Sequence, residues 1–147
     1  MPSRRRSKLA SVVQRWLPRL LALYWAKWAI QTTIAYVETV PPQLAGVDGV
    51  TPVPLWLIWI VPAIMLALGV TIPPKASARS QDIARGLRIG GTFLLSIGLI
   101  VWTAAFYLDP PRGWVSAKNY EALAVMMAFT SWFIARDETG RKQVVRE

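Results

Sequence analysis

LRIGGTFLLSIGLIVWTAAFYL, Leu87–Leu108, is the stretch that decides the class of this chain. Beyond Arg88 it carries no charged side chain. As a helix rising 1.5 Å per residue it reaches about 33 Å, enough to cross a hydrocarbon core of roughly 30 Å. Three further apolar stretches accompany it: Leu20–Val37, Leu55–Ile72 and Tyr120–Ala135. The apolar residues come in blocks, where a soluble core would space them periodically.

Charge orients the four blocks. Of the 17 Lys and Arg residues, six precede the first stretch and four follow the last. Four more (Lys75, Arg79, Arg85 and Arg88) lie around the junction of the second and third stretches. The linker between the first two stretches has none, and the linker between the last two has only Arg112 and Lys118. Basic residues gather on the cytoplasmic side of membrane proteins. The pattern predicts an all-α, polytopic integral membrane protein with four transmembrane helices and both termini cytoplasmic. Its expected parts are a basic N-terminus over residues 1–19, a membrane domain over 20–135 and a cytoplasmic tail over 136–147.

Composition restricts the chemistry. Cysteine and histidine are both absent from the 147 residues, which removes disulfides, thiolate catalysis, histidine triads and the usual zinc, copper and haem sites. The expectation is no enzyme, no catalytic residue, no metal and no cofactor. A net charge of +9 would suit nucleic acid, but the charges flank apolar blocks and form no single face. They fit a bilayer with anionic headgroups instead, each basic residue near the surface contributing about 1 kcal/mol. Arg4-Arg5-Arg6 resembles part of a twin-arginine leader, yet the apolar run starts too far downstream, and the N-terminus reads as a cytoplasmic anchor.

Along the chain, the first stretch is the least apolar. Tyr24, Lys27, Gln31 and Glu38 fall on one helical stripe, which should face the bundle, a pore or a partner, because lipid offers such groups nothing. Arg15 and Arg19 are expected to reach headgroups, Ser96, Thr130 and Ser131 to lie at the depth of Lys27, and Trp25 and Trp28 to rim the stripe. The eight tryptophans as a set read as interfacial anchors, Trp56 and Trp59 at the outer end of the second span. Pro41, Pro42, Pro52 and Pro54 make the first outer linker irregular, hugging the membrane surface, and Pro73 and Pro74 stop the second span. Ser80 is the expected N-cap of the third helix, Ser116 that of the fourth, and Gly140 the expected terminator. Asp48 and Asp109 read as turn formers, Glu38 and Glu121 as hydrated carboxylates at the outer surface. Helix packing should centre on the third span through Gly86, Gly90, Gly91, Thr92 and Ser96, small residues that let backbones approach.

With its size, span count, basic ends and tryptophan-rich spans, the chain resembles small four-span bacteriophage membrane proteins of the lysis region, some of them described as holin-like. The resemblance implies accumulation in a bacterial inner membrane and, for true holins, oligomerisation into a lesion that releases or activates a cell-wall hydrolase. The alternative is a membrane adaptor or exclusion factor that binds another membrane protein without forming a pore. Small multidrug-resistance transporters also have four spans. Their first-span carboxylate has no counterpart here, since that span carries Lys27.

Overall fold

A computed structural model describes the backbone of residues 3–42, 44, 52–108 and 113–144, and the side chains of 16–42, 44, 52–108 and 113–136. Among the described residues the long helices, in chain order, are α1 (Ser3–Glu38), α2 (Leu57–Thr71), α3 (Ala78–Tyr107) and α4 (Gly113–Val144). Among the described residues there is no strand. Successive helices pack side by side: α1 on α2, α2 on α3, α3 on α4. Contact between α1 and α4 is sparse, so the bundle has one thin seam.

Several helix ends differ from the sequence reading. Helix α1 runs unbroken through Pro18, whose ring removes one backbone donor but leaves the turns on either side intact. Helix α3 starts at Ala78, with Ser77 as its cap in place of Ser80. The Ser77 hydroxyl accepts the Ser80 N–H at 3.3 Å and lies 2.9 Å from the Ser80 hydroxyl, so the two serines share one cap. No acidic residue falls in the first turn of α3. Helix α4 starts at Gly113, ahead of Ser116, and passes straight through Gly140. Glycine permits a helix end but does not impose one. At Ile72, by contrast, the backbone turns extended directly before Pro73, as the proline ring demands.

Among the described residues, only α3 is long and apolar enough on its own to cross a membrane, and α2 is apolar but has 15 residues. The expected four spans thus reduce to one clear candidate. Lys27 and Gln31 dilute α1, Lys118 and Glu121 dilute the start of α4, and Pro73 and Pro74 cut α2 short.

The core is aromatic. Trp59 and Trp102 are fully buried and Trp25 is 3% exposed. Trp59 meets Trp102 edge-on at 5.1 Å and Trp28 at 5.5 Å, while Tyr36 packs against both Trp59 and Trp102. These edge-to-face contacts set the positive rim of one ring against the negative face of the next. The Trp102 indole N–H donates to the Tyr36 hydroxyl, so that core donor is satisfied. The expectation of interfacial tryptophans is corrected for Trp25, Trp59 and Trp102, which are buried in the core, with the part-buried Trp28 packed against them. Trp16, Trp114 and Trp132 are exposed. Leu44 of the outer linker also inserts into the core, so at this point the linker does not simply hug a surface. Asp48, Asp109, Gly46 and Gly49 lie outside the described residues.

Close approach between α2 and α3 depends on four glycines. A Cβ at Gly91 would stand 2.8 Å from Leu66 Cγ and 3.1 Å from the Pro62 carbonyl. At Gly69 it would stand 2.7 Å from Arg88 Cγ and 2.9 Å from the Ala84 carbonyl. Gly90 meets only the mobile end of Met65, and Gly98 meets Ile58. Gly86 is the exception among the expected packing residues: it is exposed, with nothing within 4 Å of where its Cβ would be. Thr92 is buried against its own helix, its hydroxyl donating to the Arg88 carbonyl at 2.9 Å. Ser96 reaches across to α4 and donates to the Ala124 carbonyl at 3.1 Å.

Candidate functional site

Cross-helix hydrogen bonds mark a common level near one end of the bundle. The Trp25 indole N–H donates to Thr130 Oγ1 at 3.3 Å, joining α1 to α4. Ser131 donates to the Ile89 carbonyl at 3.4 Å, joining α4 to α3. Arg88 Nη1 donates to the Gly69 carbonyl at 2.7 Å, joining α3 to α2. Thr130, Ser131 and Ser96, expected at the depth of Lys27, serve helix packing through their hydroxyls.

Arg88 is 2% exposed, yet it follows the first residue of the long apolar stretch Leu87–Leu108. Its burial has a local cause. The last carbonyls of any α-helix lack intrahelical donors, and the negative end of the helix dipole lies there. Gly69 is in the last turn of α2, and the Arg88 guanidinium caps its carbonyl, while the Thr71 hydroxyl caps that of Leu68 at 2.9 Å. One turn earlier on α3, Arg85 Nη2 donates to the Ala135 carbonyl of α4 at 2.6 Å. Two arginines three residues apart thus clamp α3 to both of its neighbours. Arg19 of α1 is also turned inward, 9% exposed, which corrects the expectation that it reaches outward. The sequence signal for this arginine layer was present: Arg88 inside an apolar block, in step with Arg85.

The polar stripe lies elsewhere. Tyr24, Lys27, Gln31 and Glu38 are all exposed on α1, among Leu23, Ile30, Ile34 and Val37. Within one chain the stripe does not face the bundle. Lys27 is two residues beyond Trp25, so its Cα lies roughly 3 Å past the tied level. Helical side chains lean toward the N-terminus, which carries its ammonium back toward the arginine layer. At the opposite end, the Tyr107 hydroxyl donates to Glu121 Oε2 at 3.0 Å on the exposed rim. Among the described residues, no three carboxylates gather into a metal-binding group.

Comparison of the chain with family models, with curated proteins and with solved structures yields no match. Any functional conclusion therefore rests on the bundle itself.

Proposed function

We propose that this is a non-enzymatic protein of a bacterial inner membrane, crossing it four times with both termini cytoplasmic and acting by lateral assembly in the bilayer in a holin-like manner. The observation that carries the reading is the outer surface. Leu20, Leu23, Ile30 and Ile34 of α1 are exposed, as are Val61, Ile64 and Leu68 of α2. The belt continues through Phe93, Ile97, Ile100 and Val101 of α3 and Val125, Met126 and Phe129 of α4. Soluble monomers rarely expose contiguous apolar surface beyond a few hundred Å². A belt around all four helices is what lipid contact selects.

Lateral assembly is favoured by where the polar groups lie. The centre of the bundle is filled by Trp59, Trp102, Leu66, Leu95 and Leu99, leaving a single copy unsuited to conduction through its own core. Tyr24, Lys27 and Gln31 interrupt the apolar belt on α1, and polar groups in such a setting are sheltered by protein or water. Copies meeting along α1 would enclose these groups and open a passage between bundles. The adaptor reading uses the same face against a different membrane protein, without a passage.

Membrane potential after induced expression separates the two. Wild type should depolarise the cell abruptly, and Lys27→Leu should shift the time of onset by removing a charge that resists close contact in lipid. Equal onset in both variants removes Lys27 from the mechanism. If neither depolarises the membrane, permeabilisation is wrong and the adaptor reading takes its place.

A further inference from the structure

We propose that the protein assembles head to tail, the exposed face of α1 in one copy packing against the exposed face of α4 in the next. This deepens the reading above, on which it rests, by naming a second copy as the partner of the α1 face and fixing which surface that face meets. On α1 the exposed residues step by four and three from Leu20 through Lys27 and Gln31 to Glu38. On α4 they take the same steps from Lys118 through Val125 and Phe129 to Arg136. Steps of four and three form a seam along which two helices interdigitate.

The depths of the two seams agree. Trp25 bonds Thr130, whose neighbour Ser131 reaches Ile89, and further along α1 and α3 Tyr36 meets Trp102. Helix α1 thus runs alongside α3 and against α4. Counting from the Trp25–Thr130 bond, Lys27 is level with Phe129 and Glu38 with Lys118, each to within about one residue. Among the described residues, Lys27, Glu38 and Lys118 make no ion pair and no side-chain hydrogen bond. Phe129 is 64% exposed and offers a ring face at the depth of Lys27. An antiparallel contact between copies sets Glu38 against Lys118 and the Lys27 ammonium over Phe129 in one register. Both attractions strengthen where water is excluded. Copies in one bilayer share an orientation, so a two-fold contact of α1 on α1 would place Lys27 beside Lys27 and Glu38 beside Glu38. Like charges at one depth oppose that arrangement. The contact joins two different surfaces, so it propagates from copy to copy and closes into a ring if the rotation allows.

Cross-linking in the membrane tests this with the full-length chain, which has no cysteine of its own. Gln31→Cys and Val125→Cys fall opposite one another in the same register and leave Lys27, Glu38, Lys118 and Phe129 in place. The two single-cysteine chains, carrying tags of different size, would be co-expressed and oxidised with iodine. A mixed disulfide-linked dimer is expected, with little homodimer of either chain. Val125→Cys with Ile64→Cys, on the exposed face of α2, should give no such dimer. Glu38→Lys in both chains should abolish the mixed dimer, and Glu38→Lys together with Lys118→Glu should restore it. Homodimers of Gln31→Cys as abundant as the mixed dimer overturn the proposal in favour of a two-fold α1 contact. Absence of a mixed dimer in the otherwise unchanged chains overturns it as well, and so does failure of the charge swap to rescue. Depolarisation of the cell without a mixed dimer would remove this interface and leave the assembly reading standing. Failure of the underlying membrane reading looks different: the protein would leave the membrane fraction in alkaline carbonate without detergent.

Discussion

Replacing Trp59 with alanine is expected to destabilise the bundle by about 3–5 kcal/mol, the range for deleting a large buried aromatic side chain. Trp59 is fully buried and joins Trp28 of α1 to Trp102 of α3 through edge-on contacts. Its removal leaves a cavity at the point where three helices meet. Lipid is as apolar as a protein core, so in a membrane the loss comes mainly from packing. The Trp59 indole nitrogen has no hydrogen-bond partner, so no lost hydrogen bond complicates the comparison. Trp132→Ala is the control, because Trp132 is 55% exposed and should cost less than about 1 kcal/mol. Equilibrium unfolding in mixed micelles measures both. Similar losses for the two would mean that the aromatic cluster does not hold the core.

A second large effect is expected at Gly91. Leucine there would drive its Cβ against Leu66 and the Pro62 carbonyl, and the carbonyl cannot move without shifting α2. Overpacking a filled interface costs about 1–3 kcal/mol or more, and a branched side chain at the contact should prevent α2 and α3 from docking. Gly86→Leu should be tolerated, with a gain of up to about 1 kcal/mol from better helix propensity. Monodispersity on size-exclusion chromatography reads the difference. A monodisperse Gly91→Leu protein, or an aggregated Gly86→Leu protein, would place the α2–α3 contact elsewhere.

How far the chain could be read without coordinates depends on the residue. Helical character, the proline stop after α2 and the packing role of Gly90, Gly91 and Ser96 were legible, because block hydropathy, proline geometry and small-residue spacing act locally. The three buried tryptophans were not. An indole has the same preference for a membrane interface and for an aromatic core, and only the meeting of α1, α2 and α3 decides between them. Arg19, Arg85 and Arg88 are ambiguous in the sequence for a related reason. Their charges fitted the topology, and the carbonyls of Gly69 and Ala135 that draw two of them inward are supplied by other helices. Gly86 and Gly90 share a spacing but not a neighbour: Gly90 faces Met65 of α2, whereas nothing stands within 4 Å of the Gly86 Cβ position. The polar residues of α1 share one exposed face. Its direction was set by which face Trp25, Ala29 and Tyr36 bury, and Tyr24, Lys27 and Gln31 take the other.

The central claim is that four helices cross the bilayer with both ends inside, and cysteine labelling tests it most directly, since the chain has no cysteine of its own. Single-cysteine variants at Ser3, Val53, Lys75 and Thr139 would be treated in intact spheroplasts with a membrane-impermeant maleimide, then again after permeabilisation. The account predicts that Val53→Cys reacts at once and that Ser3→Cys, Lys75→Cys and Thr139→Cys react only after permeabilisation. Labelling of Ser3→Cys or Lys75→Cys in intact spheroplasts, or protection of Val53→Cys, would contradict it.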